Sequence, residues 1–157
     1  SEGKQEDSLL LVAWLLSIVA TLGSMCYSGI GFLGIEGQGL IPCELCWYQR
    51  ILMYPLTIIL GFLYFRKDLN ILPIALSLAI PGVLLAAYHS FIQYLPSAAV
   101  SSCGAGASCT AKLSTTLGLT IPNQSLIAFL LILGALVLHK RFLTMNQETP
   151  KDNSDNL

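Results

Sequence analysis

Asp, Glu, Lys and Arg are absent from four stretches of this chain: residues 8–35, 51–65, 69–111 and 113–139. A spanning helix needs about 20 mainly apolar residues, because the hydrocarbon core is about 30 Å thick and the helix rises about 1.5 Å per residue. The pattern predicts four such helices, at about 9–33, 45–65, 71–94 and 123–142. Pro96 and a Ser/Gly/Cys-rich stretch cut the third from its longer run. Pro122, Asn123 and Ser125 mark the opening of the fourth. The alternative is a buried helical protein in water, but four runs of this length in 157 residues argue for a bilayer. The expected fold is therefore all-α and integral to the membrane, a four-transmembrane-helix bundle. It forms a single domain over 1–146, followed by a polar tail at 147–157. The first span is not a simple signal peptide. Its apolar run is long, and its flank (Glu2, Lys4, Glu6, Asp7) is not basic.

Composition agrees: 11% of residues are charged, against about 25% in a typical soluble domain. A net charge of −1 gives no reason to expect nucleic acid as a partner. Four spans put both termini on one side, together with the 66–70 turn. That side carries Lys4, Arg66, Lys67, Lys140, Arg141 and Lys151, and the other only Arg50 and Lys112. Basic residues favour the cytoplasm. The expectation is a multi-pass protein of the inner or plasma membrane with cytoplasmic termini. Segments 34–46 and 95–122 then face outward.

Four of the five cysteines, Cys43, Cys46, Cys103 and Cys109, fall on that outward side. Extracytoplasmic compartments permit disulfides, and an even set of four reads as two pairs. The first pair lies in I-P-C-E-L-C-W-Y-Q-R, residues 41–50. Pro42 suits the first turn of a helix. Cys43 and Cys46 then share one face of the opening turn, where unpaired N–H groups and the helix dipole favour a thiolate. Glu44 opposes this locally. Arg50 lies four residues beyond Cys46 on the same face, inside the span, where an arginine snorkels, pairs or serves a site. Two uses are open for it: snorkelling to the outer interface, or holding a thiolate or polar head group beside Cys46. A C-x-x-C pair is also compatible with structural zinc or an inert disulfide. Haem attachment is excluded, because Trp47 follows Cys46 where a histidine is required.

Cys103 and Cys109 enclose G-A-G-A-S, a small and unhindered loop. Such a disulfide is accessible for exchange, although a plain loop staple has the same spacing. Leu113, Leu117 and Ile121 recur every four residues. That predicts a short amphipathic helix within 110–122, lying on the outer leaflet in the second extracytoplasmic loop. Cys26, in the first span, reads as a small buried apolar residue. Trp14, Trp47, Tyr48, Tyr54, Tyr88 and Tyr94 read as packing or interfacial residues that could also line a pocket.

C-E-L-C-W-Y-Q-R followed by I-L-M-Y-P, in a four-span chain with a later outward cysteine pair, resembles the DsbB/BdbC family of thiol:quinone oxidoreductases. The resemblance covers about residues 9–142. In the related vitamin K epoxide reductase family the loop pair precedes the C-x-x-C; here it follows. The resemblance implies an enzyme of disulfide bond formation that reoxidises a thioredoxin-like protein of the DsbA or BdbD type. It makes Cys103 the site of the mixed disulfide and has Cys109 exchange with Cys43. Cys46 is left facing a membrane quinone (ubiquinone or menaquinone). Arg50 matches the family's quinone-site arginine, and His89, in Y-H-S-F-I-Q, resembles a position near the quinone. His89 is equally readable as a satisfied interhelical residue. The Cys103–Cys109 loop is shorter than in the best-known enterobacterial member and closer to the BdbC branch, and Cys26 is additional. No metal is implied. The competing classes are a non-catalytic membrane protein with two structural disulfides and a four-cysteine metal-binding membrane protein.

Overall fold

The computed structural model describes residues 2–27, 44–95, 115–116 and 119–148. Four long helices dominate: α1 (Glu2–Tyr27), α2 (Glu44–Arg66), α3 (Leu72–Tyr94) and α4 (Ile121–Glu148). A 3₁₀ turn, Leu69–Ile71, joins α2 to α3. All four helices are long and apolar enough to cross a membrane. Each packs on two neighbours, α1 on α2 and α4, and α3 on α2 and α4, so the bundle closes as a ring.

Three- and four-residue steps select what is buried. Met53, Leu56, Leu60 and Leu63 line α2; Ala75, Ala79, Gly82, Ala86, His89 and Gln93 line α3. Phe129, Ile132, Leu136 and His139 line α4, and Leu10, Ala13 and Ser17 line α1. This alternation is the seam that bundle helices use, which in general pack about 20° from antiparallel. The opposite faces carry large exposed apolar side chains, among them Val19, Ile58, Phe65 and Leu84. In lipid such faces cost nothing, so hydropathy does not distinguish outside from inside.

Glycines on α2 and α3 let neighbouring helices approach closely. A Cβ added at Gly82 would collide with the Phe129 ring of α4, and one at Gly61 would lie 3.0 Å from Trp14 Nε1 of α1. Gly82→Ala should therefore destabilise the bundle by about 1–3 kcal/mol through overpacking. Thermal unfolding in detergent would measure it, and Phe129→Leu in the same chain should restore most of the loss. An unchanged midpoint in the single variant would mean that the ring moves aside freely.

Polar side chains zip α1 to α2. Thr21 Oγ1 lies 2.9 Å from Thr57 Oγ1, and Ser24 Oγ lies 3.1 Å from Tyr54 Oη. Interhelical bonds in membranes average about 0.6 kcal/mol each, so they fix register more than they stabilise. At the far end Lys67 Nζ meets Asp7 Oδ2 at 2.8 Å. Asp7, by hydrogen bond and charge, raises the Lys67 pKa above its usual 10.5. The pair is solvent-exposed and holds until pH rises past that raised value.

His139 is buried, and among the described residues neither ring nitrogen has a hydrogen-bond partner. Leaving such a group unpaired costs on the order of 1–3 kcal/mol. His139→Leu, of similar volume, should raise the unfolding midpoint and leave thiol chemistry intact; a lower midpoint would reveal a partner that the ring holds.

The four-span bundle follows the hydrophobic pattern. Helix α1 begins at Glu2, earlier than the expected 9, and residues 28–33 of that span lie outside the described residues. The amphipathic helix expected within 110–122 is corrected over its described part. Thr115–Thr116 and Leu119–Thr120 instead pair as antiparallel strands, Thr115 opposite Thr120 and Thr116 opposite Leu119. Three of those four residues are β-branched and Gly118 lies between them, which disfavours helix and favours an extended pair. The leucine spacing was real but weaker than these local preferences. Helix α4 then starts directly at Ile121.

Candidate functional site

Helix α2 opens at Glu44, so Cys46 sits in its first turn, half-buried. Cys46, Gln49, Arg50 and Met53 follow at steps of three, one and three, and so share one face. Cys43, Cys103 and Cys109 lie outside the described residues, and so does the expected geometry of both pairs.

Arg50 is half-buried and reaches α1, where Nη2 donates to the Ser24 carbonyl at 2.8 Å. Ser24 lies near the end of the described part of α1. The guanidinium ties α2 to α1 at this point. It has five N–H donors, and this bond uses one. Its Cζ also lies 5.4 Å from the centre of the Trp47 ring, within cation–π range. Neither open use of Arg50 in the sequence included this interhelical anchor.

One residue earlier, Gln49 turns into the bundle. Its Nε2 lies 3.2 Å from His89 Nδ1 of α3, and its Oε1 accepts from Ser125 Oγ of α4 at 2.9 Å. Gln49 and His89 are both buried. The bridge joins three helices and crosses the ring diagonally from α2 to α4. Nearby, Asn123 Nδ2 donates to Tyr94 Oη at 3.0 Å, closing α4 onto the end of α3. Of the sequence-derived candidates, Cys46, Arg50 and His89 are thus gathered at one end of the bundle, with Gln49 as the link. Sequence reasoning assigned Gln49 no role and marked Ser125 only as part of the opening of the fourth span. The available signal was Gln49 itself, a polar residue four before Met53 on the buried seam.

The family model described as "Disulfide bond formation protein DsbB" matches residues 11–139. The chain belongs to the DsbB family. That match takes in all of α2 and α3, most of α1 and α4, and the whole Cys46, Gln49, Arg50, His89 and Ser125 constellation. Among similar proteins, disulfide bond formation protein C of Bacillus subtilis is 38% identical over 139 residues, covering 87% of this chain and 96% of its own length. A probable disulfide formation protein C 2 of Bacillus anthracis is 36% identical over 132 residues, covering 83% and 89%. A probable disulfide formation protein of Chlamydia trachomatis is 40% identical over 129 residues, covering 82% and 90%. No solved structure gives a significant match. DsbB-family membership and four spanning helices make this a multi-pass membrane protein.

Proposed function

We propose that this chain catalyses disulfide bond formation, as a thiol:quinone oxidoreductase that reoxidises a thioredoxin-like extracytoplasmic dithiol protein of the DsbA or BdbD type. The observation that carries this reading is Cys46 in the first turn of α2, on one helix face with Arg50 and the buried Gln49–His89 pair. DsbB-family membership and the names of the Bacillus and Chlamydia relatives support it. The orientation proposed is both termini in the cytoplasm, with the four cysteines outside.

The relay runs in balanced exchanges. A thiolate of the reduced partner attacks Cys103 Sγ, and Cys109 leaves as thiolate. The partner's second thiol then closes the partner disulfide and frees Cys103. Cys109 next attacks Cys43 Sγ and expels Cys46 as thiolate; Cys103 recloses the loop pair and releases Cys43. The helix dipole at the α2 start stabilises the Cys46 thiolate, which lowers its cost as a leaving group.

A quinone head group offers two hydrogen-bond-accepting oxygens on a flat apolar ring. The residues at this end fit it: Arg50 has further N–H donors, and Trp47 and Tyr48 have flat exposed surfaces. Arg50, His89 and Cys46 would hold it. When bound, the quinone supplies a two-electron acceptor, and closure of Cys43–Cys46 provides those electrons. Arg50 keeps positive charge beside the thiolate, and the apolar bundle below excludes water.

The test is consumption of a short-chain quinone by the purified chain with a reduced thioredoxin-like dithiol. Turnover requiring both substances is expected. Disulfides that resist exchange, with no quinone consumed, would assign the cysteines to structure instead.

A further inference from the structure

Gln49, His89 and Ser125 form a polar bridge across three helices of the bundle. A carboxamide oxygen only accepts and its nitrogen only donates, so Gln49 must show opposite faces to its two neighbours. Ser125 Oγ lies 2.9 Å from Oε1, and His89 Nδ1 lies 3.2 Å from Nε2. In that arrangement the hydroxyl donates to the amide oxygen and the amide nitrogen donates to Nδ1. Nδ1 then holds no proton, and a neutral ring carries its proton on Nε2.

Ser125 has one hydroxyl proton and a second acceptor in reach, the Pro122 carbonyl at 2.9 Å. If the hydroxyl turned there, the amide would have to turn over. Its oxygen would then face Nδ1 and require Nδ1–H. Hydroxyl direction and ring tautomer are therefore locked together through Gln49. The Pro122 carbonyl lies inside α4 and faces the N–H four residues on. Among the described residues the Gln49 oxygen has no such backbone donor, so it gains more from the hydroxyl.

We infer that Gln49 and Ser125 are positioning residues that hold His89 as its Nε2–H tautomer. What this does for catalysis rests on the reading that His89 lines the quinone site. A quinone oxygen only accepts hydrogen bonds. An Nε2–H ring that meets a quinone oxygen donates to it, whereas the other tautomer would turn a lone pair toward it. Neither positioning residue need touch the reacting atoms.

The experiment is nitrogen NMR of the full chain, labelled at histidine, in lipid nanodiscs. The chain has two histidines, and His139→Asn assigns their signals. The wild type should show His89 with an unprotonated Nδ1 and a protonated Nε2. In Gln49→Glu the carboxylate accepts only, so the ring proton should move to Nδ1 and the two signals should exchange character. Ser125→Ala unlocks the amide and should give a mixture of tautomers, with helical circular dichroism showing that the bundle is intact. A wild-type ring protonated on Nδ1 would overturn the inference, as would wild-type ring signals in both variants. Quinone consumption by the same samples separates the two levels. A fall on the order of tenfold in Gln49→Glu, the worth of one oriented hydrogen bond, supports both. Inverted ring signals with unchanged turnover keep the positioning role and remove His89 from the quinone site.

Discussion

Cys46→Ser should stop thiol-driven quinone reduction, lowering sustained turnover on the order of 10³-fold or more. Serine is nearly isosteric, and Cys46 is half-buried at a helix start rather than in the leucine core, so the bundle should remain folded. The effect is chemical. A hydroxyl cannot form the disulfide whose closure releases two electrons. The proposed relay also predicts the shape of the loss. The Cys103–Cys109 disulfide can still oxidise one equivalent of partner before it runs out of an acceptor. Rapid mixing with reduced partner should show a stoichiometric first turnover followed by a halt. Continued quinone consumption at the wild-type rate would remove Cys46 from the electron path, and with it the thiol:quinone reading.

Arg50→Ala should have the next largest effect, on two separable quantities. The guanidinium hydrogen-bonds the Ser24 carbonyl at 2.8 Å, a charge-assisted bond worth about 1.5–3 kcal/mol. Its loss should lower the thermal midpoint by loosening the end of α1 from α2. If Arg50 also holds the quinone head group, the quinone KM should rise roughly 10–100-fold, the kinetic equivalent of a bond of that strength. The visible absorption expected when oxidised quinone meets a Cys46 thiolate should weaken in parallel. Arg50→Lys keeps the charge but offers a compact ammonium in place of a planar fork, so it should fall between the two. A lower midpoint with unchanged KM and absorption would make Arg50 a strut between helices and nothing more.

Elsewhere, the difference between what could and could not be read in advance follows from how lipid treats side chains. Helices α2 and α3 end near where the hydrophobic runs end, because Arg66, Asp68 and Pro96 are expensive or disruptive inside a span. The 115–120 segment went the other way. Its leucine spacing suggested a helix, but Thr115, Thr116 and Thr120 prefer extended backbone and pair as strands. The buried seam was hidden for a different reason. Ile58 and Leu60 are equally apolar, yet Ile58 is 63% exposed and Leu60 is fully buried. A soluble helix would mark that difference with a polar face; a spanning helix need not.

The functional residues divide along the same line. Sequence alone determined four spanning helices, the placing of Cys46 at the start of one, and Arg50 one turn behind it. Each follows from charge, helix period and dipole, which are local. Only the tertiary structure gave Arg50 the Ser24 carbonyl as partner and put Gln49 between His89 and Ser125. Gln49 lies 40 residues from His89 and 76 from Ser125. No local rule joins such positions. What joins them is that unpaired polar groups are costly in an apolar bundle, so those on three different helices meet wherever the packing allows.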